Sequence, residues 1–149
     1  MSINWVFKSF DELTTAELYA IIELRNRVFV VEQNCPYQDA DYKDQKSFHL
    51  MGWKENKLAA YTRIIPQGIS YTEASIGRVV TSPDFRGGGI GRELMEHSID
   101  KAFSQFNCNS IKIGAQAYLR QFYESLGFVQ TSEEYLEDNI PHIEMLLEK

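Results

Sequence analysis

Apolar residues recur along the chain with spacings that predict strands and helices in turn. Short runs rich in Ile, Val, Phe and Leu indicate strands, whereas apolar residues repeating every three to four positions indicate helices. The predicted strands cover residues 3–7, 48–54, 58–65, 74–81, 111–115, 128–131 and 143–147. Helices are predicted after Thr14, from Ile90 and over residues 119–126. The order β-α-β-β-β-α-β-α-β-β indicates a mixed α/β fold with one central sheet and helices packed on it.

Local sequence signals mark where several of these elements begin and end. Thr14 and Glu17 have the spacing of a capping box, which starts the first helix. Polar residues 55–57 predict the turn of a hairpin between two strands. Pro83 discourages continuation of the strand before it, and Gly127 is placed to cap the last helix.

Composition and charge narrow the class of protein. The 149 residues are 44% apolar and 24% charged, which is ordinary for a single domain, and no repeat or linker divides residues 1–149. A net charge of −6 argues against nucleic acid as a partner, because binding phosphates requires clustered Lys and Arg. No apolar run approaches the roughly 18–20 residues of a membrane span, and no signal peptide is recognisable. With two distant cysteines, we expect free thiols in a reducing cytoplasm.

The most informative segment is the turn between the strand at residues 74–81 and the helix after it. We call it the glycine loop, and its residues are Arg86, Gly87, Gly88, Gly89, Ile90 and Gly91. Glycine lets the backbone adopt positive φ angles and approach a ligand closely. Unpaired N–H groups at the helix start, the helix dipole and the charge of Arg86 together predict a phosphate site. The alternative is a flexible turn that holds no ligand.

Two common phosphate-binding motifs do not fit the glycine loop. A Walker loop needs GxxxxGK followed by Ser or Thr, but Arg92 is the sixth residue counted from Gly87. The dinucleotide pattern GxGxxG fails because Leu94 stands at its last position. The pattern that does fit is R-x-x-G-x-G, formed by Arg86, Gly89 and Gly91.

This pattern resembles motif A of the GNAT superfamily of acyl-CoA N-acyltransferases. In that superfamily the preceding strand pairs by its backbone with the pantetheine arm of the coenzyme, and the loop amides bind the pyrophosphate. The resemblance therefore implies an acetyl-CoA cosubstrate and a single, mostly antiparallel central sheet flanked by helices. It assigns the pantetheine to Val79, Val80 and Thr81, and the pyrophosphate to Arg86, Gly87, Gly88, Gly89, Ile90 and Gly91.

Residues 116–128 resemble motif B of the same superfamily, commonly N-x-x-A-x-x-F-Y-x-x-x-G-F. The matching positions are Phe122, Tyr123, Gly127 and Phe128. Gln116 replaces the usual Asn and Leu119 the usual Ala. Glutamine keeps an amide that can bind the coenzyme arm, although its reach differs. The resemblance thus adds Gln116, Phe122 and Tyr123 to the predicted coenzyme contacts.

The resemblance runs from the first strand to Lys149 and points to the ElaA-type branch of the superfamily. The segments that carry it are residues 27–39, 52–53, 76–79, 114–117 and 140–143, with Asp41 and His49. It implies direct acetyl transfer to a primary amine in a ternary complex, without a metal or a cysteine intermediate. The acceptor, a small molecule or a protein amine, is not specified by the residues, and a homodimer is left open.

Such a reaction needs two proton transfers. Tyr123 is the candidate acid for the departing thiolate, because a phenol with an ordinary pKa of about 10 is protonated at neutral pH; alternatively, its ring simply packs. The acceptor amine must first lose a proton, since a pKa of about 10.4 keeps it charged at pH 7. The candidate bases, in order of preference, are Glu32, His142, His49 and Glu73. Each has a structural alternative, as a solvated carboxylate or a hydrogen-bonded histidine.

The remaining polar residues support fewer conclusions. The acidic run within residues 32–44 could attract a cationic acceptor, but we favour a solvated loop. The three histidines form no metal-binding motif, so no metal is expected. Three other functions stay open: a non-catalytic acyl-CoA-binding sensor on the same fold, another nucleotide-binding module, and an interaction protein whose glycine loop is only a hinge.

Overall fold

The computed structural model describes residues 2–149, which form eight strands and three α-helices. The strands are β1 (Asn4–Ser9), β2 (Phe48–Lys54), β3 (Lys57–Ile65), β4 (Ser75–Thr81), β5 (Ser110–Gln116), β6 (Val129–Gln130), β7 (Tyr135–Glu137) and β8 (Ile140–Glu148). The α-helices are α1 (Thr15–Arg25), α2 (Ile90–Phe106) and α3 (Arg120–Ser125). The predicted element order is confirmed, with β7 as an additional short strand.

The strands form a largely antiparallel sheet in two halves. One half has the order β1-β2-β3-β4, and the other has the order β5-β8-β6 with β7 also on β8. Every ladder within the halves is antiparallel. Between residues 2 and 149 the halves are joined only by a parallel bridge between Ala74 and Ile111, where the Lys112 N–H donates to the Ala74 carbonyl at 2.9 Å. Beyond this bridge no backbone ladder joins β4 to β5 in the described residues, and we call the region between these two strands the cleft.

The first helix begins as predicted but ends differently. Thr14 Oγ1 accepts from the Glu17 N–H at 3.1 Å, and the Glu17 carboxylate accepts from the Thr14 N–H at 2.8 Å, so the capping box is present. After Arg25 the chain continues as a π-helix over Asn26–Glu32. Its wider turns show in the bond from the Cys35 N–H to the Val30 carbonyl at 3.0 Å. Such turns are rare and frequently lie at functional sites.

Helices cover both faces of the first half of the sheet. On one face α2 packs Leu94, Met95 and Ala102 into a cluster with buried residues of β3 and β5. On the other face α1 packs Ile21 and Leu24 against β2 and β3. Burying each such leucine or isoleucine side chain contributes about 1.5–3 kcal/mol. The two helices therefore hold β4 from opposite sides and leave its edge toward β5 open.

The last third of the chain departs most from the predicted bounds. The helix predicted over residues 119–126 is a 3₁₀ turn at Ala117–Leu119 followed by the shorter α3. β8 begins at Ile140 rather than at residue 143. β7 was missed because its three residues, Tyr135–Glu137, are too few for a periodic pattern. The β7–β8 hairpin places Tyr135 opposite His142.

Candidate active site

β4 presents an open backbone edge to the cleft. Its residues from Ser75 to Thr81 pair with β3 on one side, whereas no strand within residues 2–149 pairs with them on the other. Val80 is 3% exposed and its side chain packs beneath α1. The Ser82 N–H donates to the Ala59 carbonyl at 2.8 Å, so by the alternation of an antiparallel ladder the backbone of Val80 faces Tyr61 of β3. Of the three predicted pantetheine contacts, Val79 and Thr81 therefore direct their backbone groups to the open edge.

The glycine loop adopts backbone angles that favour glycine. Gly87, Gly88 and Gly89 have φ of 97°, 67° and 80°, all in the left-handed region. A Cβ atom added to any of the three would meet no atom within 4 Å. These glycines are therefore required for backbone conformation rather than for space within the protein.

The start of α2 leaves hydrogen-bond donors free. Gly89 is the N-cap residue and supplies no side-chain bond. The first helical bond runs from the Glu93 N–H to the Gly89 carbonyl at 3.1 Å. Across the described chain, the N–H groups of Ile90, Gly91 and Arg92 make no protein hydrogen bond. Because the Ile90 side chain is only 8% exposed, these donors sit on an anchored helix end.

Two arginine pairs connect the π-helix to the glycine loop and to the turn that precedes it. Arg27 donates to Asp84 at 3.2 Å and to Ser82 Oγ at 3.3 Å. Arg86 donates to the two carboxylate oxygens of Glu32 at 2.9 and 2.6 Å. Hydrogen bonding from Arg86 lowers the pKa of Glu32 and, in return, the pKa of Arg86 is raised. Two predicted site residues thus contact each other, and the lowered pKa makes Glu32 a weaker base.

Tyr123 lies on α3 with its ring inside the core. Its ring packs against Phe122 and Phe128, with centroid separations of 5.2 and 5.9 Å. Among the residues that the structure describes, none forms a hydrogen bond with its hydroxyl. Burial, and secondarily the proximity of Tyr118, raises the pKa of Tyr123 well above its usual value. The hydroxyl is therefore a protonated donor at neutral pH, and the fold uses only the ring, which packs in the core.

Gln116 and His142 lie opposite each other on β5 and β8. Gln116 Nε2 donates to Gln33 Oε1 at 3.4 Å, at the end of the π-helix. His142 Nδ1 lies 2.7 Å from the Ile140 carbonyl and must donate to it, which leaves Nε2 as the acceptor of a neutral ring. Nε2 lies 3.6 Å from the carboxylate of Glu137.

Two other candidate bases lie elsewhere. His49 has no exposed surface, and its Nδ1 lies 2.6 Å from the Tyr61 hydroxyl while Nε2 lies 2.9 Å from the Asp44 carbonyl. Burial lowers the pKa of His49. The prediction of His49 as a base is not supported, because both ring nitrogens are engaged inside the protein. Glu73 precedes β4 at the end where the halves of the sheet join, opposite the glycine loop.

The expectation of a solvated acidic loop is wrong. Three aspartates of that loop pair with three arginines, and we call this set the arginine–aspartate cluster. Its members are Arg25, Asp39, Asp41, Asp44, Arg63 and Arg78. Burial acts to raise the pKa of Asp41, but the hydrogen bonds and charge of Arg63 outweigh burial and lower it. These carboxylates are already neutralised and are not placed to attract a cationic acceptor.

The geometry of the cluster is close and mutual. Asp39 accepts from Arg25 Nε and from Arg78 Nε, each at 2.8 Å. Asp44 Oδ1 accepts from Arg25 Nη1 at 2.8 Å and from Arg63 Nη1 at 2.9 Å. Sequence reasoning missed the arginines, although Arg63 inside an otherwise apolar strand was a detectable signal, since such a charge needs a buried partner.

The described residues offer few features for metal or cysteine chemistry. From residue 2 to residue 149, no three His, Cys, Asp or Glu side chains are grouped to hold a metal. Both cysteines are buried and free, and the Cys35 thiol donates to the Asp138 carbonyl at 3.4 Å. None of the described helices has the length and apolar character needed to cross a membrane.

Comparison with known protein families identifies the family to which this chain belongs. The family model described as the acetyltransferase (GNAT) domain matches residues 16–149, which is most of the chain. The chain therefore belongs to the GNAT family of acyltransferases. The predicted superfamily is confirmed by this match, and the glycine loop and α3 both lie within the matched residues.

Individual relatives bear out the predicted branch and fold. Protein ElaA of Escherichia coli strain K12 is 42% identical over 148 residues, covering 98% of this chain and 97% of ElaA. The solved structure of E. coli ElaA superimposes with a TM-score of 0.92 at 41% identity, covering 98% and 99% of the two chains. An acyl-CoA N-acyltransferase from Pseudomonas aeruginosa superimposes with a TM-score of 0.94 at 42% identity, with the same coverage.

Proposed function

We propose that this protein transfers an acetyl group from acetyl-CoA to a primary amine, directly and in a ternary complex. The observation that carries the proposal is the combination of three left-handed glycines with the free N–H groups that begin α2. Backbone donors at a helix start bind phosphate with the help of the helix dipole. The GNAT family and the acyl-CoA N-acyltransferase relative support coenzyme A as the source of that phosphate.

The position of this anion site determines how coenzyme A would lie on the protein. With its pyrophosphate on the glycine loop, the pantetheine arm runs along the open edge of β4 at Val79–Thr81 and pairs with its backbone. Gln116 reaches the arm from β5, and Phe122 borders it from α3. The cleft between the halves of the sheet then directs the thioester into the protein, where reduced solvent strengthens polar contacts.

Tyr123 assists departure of the thiolate. Its hydroxyl has no partner within the described residues, and its raised pKa keeps it protonated. A phenol in this state can donate to the sulfur as negative charge develops there. The packed ring restricts its orientation, so little ordering is needed during the reaction.

His142 accepts the proton of the amine in this proposal, with Glu32 as the alternative. His142 Nε2 carries the free lone pair beside Glu137, whereas both carboxylate oxygens of Glu32 are held by Arg86. An amine with a pKa of about 10.4 must lose its proton before attack, so a base accelerates the reaction by accepting that proton. Exposed Glu137 also favours an acceptor that arrives as an ammonium ion.

The test is an amine-panel assay with acetyl-CoA that follows release of free thiol, together with calorimetry of coenzyme A binding. The panel includes polyamines, amino acids and peptides with lysine or a free N-terminus. We expect coenzyme A to bind and at least one amine to accelerate thiol release above hydrolysis. Binding without transfer to any amine would identify a non-catalytic sensor, and no heat of binding would remove coenzyme A from the proposal.

A further inference from the structure

Arg78 occupies an uncommon backbone position beside the cleft. The register moves from the pair Tyr61–Val80 to the pair Arg63–Gly77, so β4 has one more residue than β3 between them. Arg78 lies in this bulge with φ of 50°, whereas the preceding Gly77 has no positive φ. A residue with a Cβ keeps a left-handed conformation inside a strand only when surrounding contacts impose it.

The side chain of Arg78 supplies such contacts. Nε donates to the Asp39 carboxylate at 2.8 Å, and Nη2 donates to the Asp39 backbone carbonyl at 2.9 Å. The guanidinium also lies over the ring of Tyr37, 5.7 Å from its centroid. Asp39 is held from its other side by Arg25, at the end of α1. The bulge is thus clamped at two points to a segment that is itself anchored in the core.

Arg78 is the member of the arginine–aspartate cluster that the fold needs least. Its side chain is 21% exposed, against 0% for Arg25 and 3% for Arg63. Without Arg78, Asp39 would keep its bond to Arg25, and Asp41 would keep two bonds to Arg63. No carboxylate would be left unpaired. The cost of a left-handed arginine therefore points to a role in the cleft rather than in overall stability.

We propose that Arg78 is a positioning residue whose clamp on Asp39 fixes the bulge so that the backbone N–H of Val79 faces the thioester carbonyl. A donor held at this place stabilises the oxyanion that forms when the amine attacks. The inference rests on the proposed acetyl transfer and names a residue that tunes it. Arg78 acts through the backbone and does not touch the substrate.

The experiment compares acetyl-CoA with S-ethyl-CoA, which has nearly the same size and no carbonyl. Calorimetry measures both affinities for the wild-type protein, for R78G, which tolerates a left-handed backbone, and for R78K, which keeps the charge. We expect the wild type to prefer acetyl-CoA by about fivefold, the value of one neutral hydrogen bond. Both variants should lose this preference and reduce kcat by at least about tenfold, while the affinity for coenzyme A is unchanged.

The outcomes separate this inference from the function on which it rests. If the wild type transfers acetyl but both variants keep its kcat and its preference, Arg78 has no positioning role. A lower unfolding temperature with an unchanged preference would show a structural role alone and would also overturn the inference. No preference in an active wild type would show that the Val79 amide does not bind the carbonyl. Absence of transfer by the wild type would instead overturn the proposed function.

Discussion

The glycine loop and the arginine–aspartate cluster are both polar regions next to β4, and they differ in what satisfies their hydrogen bonds. In the cluster, three guanidinium groups and three carboxylates neutralise one another at distances of mostly 2.8–2.9 Å. At the glycine loop, the N–H groups of Ile90, Gly91 and Arg92 have no partner in the described residues. Polar groups already paired serve the fold, whereas oriented donors without partners are available to a ligand.

The largest effect is expected from breaking the cluster. Substitution D44N removes one of the two carboxylates that neutralise each of Arg25 and Arg63, and we expect the free energy of unfolding to fall by about 3–5 kcal/mol, because two buried guanidinium groups lose a shared charged partner. Urea denaturation measures this loss. E96A, which removes the exposed Arg92–Glu96 pair, is the control and should change stability by less than about 1 kcal/mol. If D44N and E96A both changed stability by less than about 1 kcal/mol, the cluster would contribute no more to the fold than an exposed ion pair does.

Acid should destabilise the region around the arginine–aspartate cluster in two stages. His49 has a pKa lowered mainly by its burial, so its contribution to stability is lost as pH falls below its ordinary value of 6.5. Arg63 and Arg25 lower the pKa values of Asp41 and Asp44 against the opposing effect of burial, so their contribution is lost below the ordinary value of 3.8. Urea unfolding between pH 8 and 3 measures both stages. D44N should weaken the second stage but not the first, because the charge of Asp44 raises the pKa of His49 and its removal lowers that pKa further.

Removing the Tyr123 hydroxyl, which has no hydrogen-bond partner in the described residues, should lower turnover more than it weakens coenzyme A binding. Y123F keeps the packed ring but deletes the proposed acid, and we expect kcat to fall by about 10²-fold with little change in affinity for coenzyme A. Steady-state kinetics and calorimetry separate these quantities. Y118F is the matched control, because Tyr118 is 75% exposed and lies five residues before Tyr123, in the 3₁₀ turn that precedes α3. Unchanged turnover in Y123F would remove Tyr123 from the mechanism.

The glycine loop can be tested against a glycine with the same backbone. Gly89 and Gly68 have φ of 80° and 84°, and neither has an atom within 4 Å of an added Cβ. We expect G89V to weaken coenzyme A binding by about tenfold or more, because a left-handed valine costs about 1–3 kcal/mol and shifts the loop. G68V carries the same strain in the β3–β4 connection and should bind coenzyme A normally. Calorimetry gives both affinities, and equal losses would contradict a phosphate site.

The smallest effect concerns the ion pair that links the π-helix to the glycine loop. Glu32 and Arg86 are both substantially exposed, so their pair has a modest value that salt reduces. E32Q frees Arg86 for the pyrophosphate, and we expect coenzyme A to bind about two- to fivefold more tightly at low salt. Titrations at low and high salt measure this difference. A loss of affinity would show that Glu32 orients Arg86 for the phosphate instead of competing with it.

Local sequence determined most of the elements and the glycine loop. The capping box at Thr14, the hairpin between β2 and β3, and the helix from Ile90 all depend on residues close together in the chain, so their patterns were visible without a structure. Motif A was equally local, because a strand, a glycine turn and a helix follow one another directly. The GNAT assignment needed only these patterns.

Only the tertiary structure decided which polar residues are available. Asp39, Asp41 and Asp44 resemble a solvated loop in the sequence, yet they meet arginines 14 to 39 positions away. His49 and His142 look alike as isolated histidines, and they differ because one has both nitrogens engaged in the core while the other leaves Nε2 available as an acceptor, 3.6 Å from Glu137. Burial and pairing depend on contacts between distant segments, and local spacing carries no record of those contacts.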